Sequence, residues 1–270
     1  MNRYLRLFRF GNGLMGMLGV LIGAFLASGT GIVDHLWSLA VACAVVVSFM
    51  AGGNALNDYI DREIDKIGHP DRPLPRGEIT PRAALACGIG GLALACVLSL
   101  LMGSWTSTVV VTAAAVLMVT YEVYLKKTGF LGNLEIAILT GMLFLYGGAA
   151  VNNFEGNLIF AAMAMLVSVG REIAKDIEDM GADAGRKTLP MAIGVGKASA
   201  IAAIFYIIGP ILSVYPLVAG MFNPLYCLVF VADAIFIYCA IILFKDAHKS
   251  QKYAKYAMMV ALLAFILGVI

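Results

Sequence analysis

The sequence predicts an all-α, polytopic membrane protein of nine transmembrane helices with a cytoplasmic N-terminus, and three observations predict it. Of the 270 residues, 61% are hydrophobic and 13% charged, with a mean hydropathy of +0.90. A soluble domain is about half apolar and a quarter charged. Nine apolar runs approach the ~20 residues that a spanning helix needs. All 19 Lys and Arg residues fall in, or just inside, every second connection between those runs, the pattern of cytoplasmic loops.

The runs can be justified in order. The first, 10–28, follows Arg3, Arg6 and Arg9 and therefore starts on the basic side. It lacks a small-residue cleavage site and is expected to persist as a span. A connection near 29–35 without basic residues leads to 36–58. Arg62, Lys66, Arg72, Arg76 and Arg82 then precede or open the run 82–102. A connection at 103 without basic residues leads to 104–121, and Lys126 and Lys127 follow it. Runs 131–150 and 157–176 are joined by 151–156, again without basic residues. Arg171, Lys175, Arg186, Lys187 and Lys197 surround the passage to 198–217. The connection near 216–223 carries none. Lys245, Lys249, Lys252 and Lys255 lie between 222–244 and 254–270. Basic loops stay inside, so the last run is expected to end outside. A missed or extra span would scramble this alternation. The whole reads as a single transmembrane domain, 1–270.

Eleven of the 17 acids lie between 58 and 78 or between 172 and 183, in or beside the two long inside connections. Asn57, Asp61 and Asp65 are four apart and share one helix face, with Asp58 beside them and Asn54 one turn earlier. Oxygen ligands with no nearby Cys or His suit a hard cation such as Mg²⁺, which is held by a few carboxylates together with substrate phosphates and water. Asp176, Asp179 and Asp183 are spaced three and four apart and also share a face. Arg171 and Lys175 lie on the preceding turns, and Gly181 and Gly185 mark the expected helix end. The four helices between the motifs at 54–65 and 171–183 suggest two related four-helix halves.

A diphosphate cannot approach these carboxylates unaided. Metal ions must bridge them, and cations on the same side can bind the remaining oxygens. The expected metal set is Asn57, Asp58, Asp61, Asp65, Asp176, Asp179 and Asp183. Arg72, Lys126, Lys127, Arg171 and Lys187 are expected on the diphosphate. Asn12 and Asn133, polar residues near helix starts, line a pocket or cap their helices. The cysteines Cys43, Cys87, Cys96, Cys227 and Cys239 fall in apolar runs without CxxC spacing and read as buried structural thiols. Asp233 is a lone acid within a span. His35 and His248 are given no role. A secondary transporter is the competing class, but its acids would lie near the bilayer midplane on broken helices rather than at helix ends.

Asn57-x3-Asp61-x3-Asp65 resembles the NxxxDxxxD signature of the UbiA superfamily of intramembrane prenyltransferases, and the Asp176–Asp183 segment resembles its second aspartate motif. The connection His69-Pro70-Asp71-Arg72-Pro73-Leu74-Pro75-Arg76-Gly77 is similar to the family's. Tyr121 or Tyr124 with Lys126 and Lys127, followed by Gly132-Asn133, resembles its tyrosine–lysine motif. Here the spacing is Tyr121-x4-Lys126 or Tyr124-x2-Lys127, so both tyrosines stay candidates for the pocket. Arg9 and Asn12 resemble the family's first-helix start. The resemblance covers about residues 5–200.

It implies nine helices around a central cavity with a side opening to lipid, and two Mg²⁺ ions near the cytoplasmic face. It also implies a prenyl diphosphate donor, whose C1–O bond ionises to an allylic cation that an acceptor attacks. Asp61, Asp183 and Lys126 are the residues on which catalysis should depend most. The segments 57–67, 72–77, 125–133 and 171–190 look most like the branch that joins a geranylgeranyl group to geranylgeranylglyceryl phosphate in archaeal-type ether-lipid synthesis. Lys175, Arg186 and Lys187 would suit that acceptor's phosphate. An aromatic acceptor such as 4-hydroxybenzoate is the alternative. The expected partners are therefore the donor, a lipophilic acceptor and membrane lipid, with no nucleic acid.

Overall fold

The computed structural model describes residues 2–181 and 187–270. Among them there are helices and turns and no strand. The α-helices are α1 (Arg3–Leu7), α2 (Phe10–Ser28), α3 (Leu36–Ile60), α4 (Arg62–Gly68), α5 (Pro81–Leu100) and α6 (Trp105–Val123). They continue as α7 (Phe130–Ala150), α8 (Leu158–Asp179), α9 (Leu189–Ile193), α10 (Val195–Val218), α11 (Val229–Ile242) and α12 (Ala247–Val269). Among the described residues, eight stretches are long and apolar enough to cross a membrane. The first, Phe10–Ile60, has 51 residues, about 75 Å if it were one helix. It is instead α2 and α3, joined by a 3₁₀ turn over Gly29–His35 and packed on each other.

The chain divides into two compact units. Unit 1 comprises Met1–Val123 and Tyr146–Phe154. Its tightest packing joins α3 to α5. A Cβ added at Gly91 would lie 2.7 Å from Gly52 Cα, and one added at Gly52 would lie 2.6 Å from the Leu92 nitrogen. Small residues that let backbones approach this closely are how membrane helices gain contact without a hydrophobic driving force. Thr80 caps α5 by accepting from the Ala83 N–H, with Pro81 at the first helical position. Leu7 of α1 is fully buried against Ala55, Leu74, Ile79 and Ala84, which seats the N-terminal helix on the connection after α4.

Unit 2 comprises Tyr124–Leu145 and Glu155–Ile270. Its core lies between α8, α10, α11 and α12, around Val167, Ile173, Tyr206, Phe236, Cys239 and Ala254. Phe160, Phe222, Tyr226 and Phe265 form an aromatic cluster with centroids 4.6–6.4 Å apart. Asp233 accepts from Ser213 Oγ at 2.7 Å, so this intramembrane acid is hydrogen-bonded.

Two expectations need correction. The last helix begins at Ala247 rather than 254, because the Asp246 side chain caps it by accepting from the Lys249 N–H at 2.9 Å. Backbone hydrogen bonding at a helix end tolerates the lysines that a hydropathy reading excludes. All five cysteines are free thiols as expected, but only Cys239 is buried: Cys43, Cys87 and Cys96 are half-buried and Cys227 is exposed.

Candidate active site

In unit 1 the acidic stripe begins inside α3 and leaves it without losing register. Helix α3 ends at Ile60, yet the Asp61 N–H donates to Asn57 O at 2.9 Å and the Asp65 N–H to Asp61 O at 2.8 Å. These bonds keep the four-residue spacing, so Asn57, Asp61 and Asp65 follow one line across the junction with α4. The three carboxylates here are buried: Asp58 is 1% exposed, Asp61 8% and Asp65 3%. Buried charge must be paired. Arg9 Nη2 lies 2.5 Å from Asp58 Oδ1 and 3.2 Å from Asn57 Oδ1. Arg72 Nη1 lies 2.5 Å from Asp65 Oδ2 and 3.6 Å from Asp58 Oδ1. Asn54 is turned away from this line and donates to Phe8 O at 3.0 Å.

The connection bearing Arg72 is clamped from the N-terminus. Arg6 and Arg76 each lie 3.0 Å from Glu78, and Arg6 also donates to Asp71 O. A cavity of about 640 Å³ opens beside it, lined by Arg6, Arg9, Asn12, His69 and Arg72 among others. Asn12 thus lines a cavity within unit 1, together with two of the arginines that hold the carboxylates.

In unit 2, Asn133 Nδ2 donates to Asp176 Oδ2 at 2.9 Å, which joins α7 to α8 at the second motif. Asp176 is half-buried and Asp179, the last residue of α8, is exposed. Asp183 and Arg186 lie outside the described residues. Arg171 and Lys175 both engage Glu172, at 3.0 and 3.1 Å. Lys126 and Lys127 sit in a 3₁₀ turn, Leu125–Lys127, the first half-buried and the second exposed. Gly129, with φ +63°, lets this turn lie against the chain at 187–189, where an added Cβ would be 3.1 Å from Lys187 O. Lys187 itself is exposed. Tyr124 is 70% exposed, whereas Tyr121, in unit 1, is half-buried on α6.

Two residues escaped the sequence reading. Glu122, 4% exposed near the end of α6, accepts from Asn57 Nδ2 at 2.9 Å. Glu135, 3% exposed in α7, has both carboxylate oxygens buried with no hydrogen-bond partner among the described residues. For Glu135 the available signal was the one applied to Asp233, an ionisable side chain within an apolar run; Glu122 lies just past the run 104–121 and offered none.

Among the described residues, no three Asp, Glu, His or Cys side chains form a ready-made metal cage. The donor chemistry still fits magnesium. The donors are oxygens only, and Mg²⁺ commonly takes one or two carboxylates and completes its shell with water and substrate phosphate.

A match to the UbiA prenyltransferase family spans residues 16–266. The chain belongs to this family. Its UbiA relatives include the digeranylgeranylglyceryl phosphate synthases of Natronomonas pharaonis and Thermococcus gammatolerans. The first is 36% identical over 97% of this chain and 95% of the relative. The second is 38% identical over 94% and 93%. A solved structure concerning a digeranylgeranylglyceryl phosphate synthase in membranes superposes with a TM-score of 0.88 at 34% identity, covering 99% of this chain and 97% of that one. The UbiA fold extends to a homologue from Archaeoglobus fulgidus bound to GPP and Mg²⁺, with a TM-score of 0.74 at 17% identity over 99% and 98% of the two chains.

Proposed function

We propose that this protein transfers a geranylgeranyl group from geranylgeranyl diphosphate to the free hydroxyl of geranylgeranylglyceryl phosphate, forming digeranylgeranylglyceryl phosphate. The observation that carries this reading is similarity over the whole length, 34–38% identity, to relatives bearing that activity in their names. The buried, arginine-compensated carboxylates at the end of α3 support it, because a solvated loop has no need to bury Asp58 and Asp65.

In this reading Asn57, Asp58, Asp61, Asp65, Asp176, Asp179 and Asp183 would hold Mg²⁺ directly or through water. The chemistry that Mg²⁺ would supply there is positive charge to offset what builds on the diphosphate as the C1–O bond breaks. Arg72, Lys126, Lys127, Arg171 and Lys187 bind the diphosphate oxygens. Arg9 and Arg72 already lie against carboxylates, so they are positioned to share their donors with an arriving phosphate. The diphosphate departs with the electron pair of the C1–O bond, the acceptor oxygen forms the new bond to the C1 cation, and the hydroxyl proton passes to a carboxylate or to the departing diphosphate. Asp61, Asp183 and Lys126 matter most. Tyr121, Tyr124, Asn12 and Asn133 line or support the pocket.

The chain crosses the membrane nine times, with α2 and α3 as separate spans, the N-terminus cytoplasmic and the chemistry on the cytoplasmic side. Diphosphate release tests the reading. Purified protein with geranylgeranyl diphosphate should release diphosphate only when Mg²⁺ and geranylgeranylglyceryl phosphate are both present, and EDTA should abolish release. Release that is indifferent to EDTA would contradict it.

A further inference from the structure

Asn57 is the one metal-motif residue whose side chain can be installed backwards. An amide presents a carbonyl oxygen on one side and an NH₂ on the other, and its terminal torsion is broad and roughly two-fold. Only the oxygen can ligate a cation or accept from a guanidinium. Something must therefore decide which way it faces.

Two contacts decide it from opposite sides. Glu122 Oε1 accepts from Asn57 Nδ2 at 2.9 Å. Asn57 Oδ1 accepts from Arg9 Nη2 at 3.2 Å. Turning the amide over would set its oxygen against a carboxylate and its NH₂ against a guanidinium, so both contacts would become repulsive. Glu122 is 4% exposed and separated from Asn57 by 65 residues of chain. An acid is expensive in an apolar helix, and packing α6 against α3 does not require one.

We propose that Glu122 is a positioning residue: it fixes the Asn57 amide so that its carbonyl oxygen stays on the side of Arg9 and Asp58, available to the metal–diphosphate complex. The inference rests on the reading of Asn57 as part of that site. Groups that orient metal ligands commonly change affinity by about 10–100-fold when removed.

The test measures Mn²⁺ binding by electron paramagnetic resonance on the full-length protein in detergent, with an unreactive thiolodiphosphate analogue of the donor present. Glu122→Met removes the acceptor while keeping an unbranched side chain of similar length. It should weaken Mn²⁺ binding by about tenfold. Glu122→Gln removes the charge but keeps an oxygen that can accept from Asn57, and should bind Mn²⁺ close to wild type. If Glu122→Met does not purify folded, Glu122→Asp takes its place, since the shorter side chain withdraws the acceptor.

Binding by Glu122→Met equal to wild type overturns the proposal. So does a loss in Glu122→Gln as large as in Glu122→Met, which would make charge, not orientation, the cause. Asp61→Ala is run alongside. If it too binds Mn²⁺ like wild type, the metal reading of the stripe fails and the proposal falls with it. If it loses binding while Glu122→Met does not, the positioning role alone is wrong.

Discussion

Asn133 donates its side-chain amide to Asp176 Oδ2 at 2.9 Å, so a residue expected to line the pocket or cap a helix holds the second acidic motif in place. The bond spans 43 residues and ties the start of α7 to the last turns of α8. Replacing Asn133 with Ala should remove this hydrogen bond from the Asp176 carboxylate and weaken binding of the donor analogue at fixed Mg²⁺ by about tenfold. Asn133→Asp sets two carboxylates together and should be worse. Equal binding by all three proteins in a calorimetric titration would show that Asp176 needs no holding.

Arg72 bridges two acids. It lies 2.5 Å from Asp65 and 3.6 Å from Asp58, and both acids are buried while the arginine is about a quarter exposed. Removing one partner of a fully buried pair costs about 3–5 kcal/mol, so the partial exposure of Arg72 brings the expected cost of Arg72→Ala to about 2 kcal/mol. Arg72→Met with Asp65→Asn should recover much of that stability without recovering diphosphate release. Thermal unfolding in detergent, read beside activity, separates the two effects. A double variant as unstable as Arg72→Ala would mean that the ion pair is not what Arg72 supplies.

Packing of α3 on α5 gives a matched pair of variants. A Cβ at Gly91 would meet Gly52 Cα at 2.7 Å, whereas nothing lies within 4 Å of one at Gly90. Gly91→Ala should cost about 1–3 kcal/mol through overpacking. Gly90→Ala should be neutral or slightly stabilising, since alanine favours helix over glycine. Equal unfolding midpoints for the two variants would refute the close approach.

Glu135 carries the opposite expectation. Its buried carboxylate oxygens have no partner among the described residues, and an unsatisfied buried polar group costs about 1–3 kcal/mol. Glu135→Leu should therefore raise the unfolding midpoint. A lowered midpoint would show that the carboxylate has a stabilising role.

The sequence made some of this legible for a physical reason. Hydropathy and basic-residue placement depend on lipid as the solvent, and they located the apolar runs that became α2, α3, α5, α6, α7, α8 and α10. The stripe Asn57, Asp61 and Asp65 was visible because its spacing is local to one helix face, and the backbone bonds through Asp61 preserve that face. Glu122 was not visible, because its partner lies 65 residues away and periodicity reports only on the helix that carries it. The start of α12 was lost for a related reason. Its lysines lower the hydropathy there, while the Asp246 cap that fixes the boundary is a single side-chain contact. Asn54 fell in step with the stripe yet bonds to Phe8 O, a contact that no spacing rule foresees.

Mass spectrometry of the lipid product tests the central claim most directly. Purified protein is given geranylgeranyl diphosphate and Mg²⁺ with an equal mixture of geranylgeranylglyceryl phosphate and 4-hydroxybenzoate. The account predicts one new product, glyceryl phosphate bearing two geranylgeranyl ethers, and none with Asp61→Ala. A prenylated hydroxybenzoate in its place would contradict the acceptor assignment while leaving the fold and the donor chemistry standing.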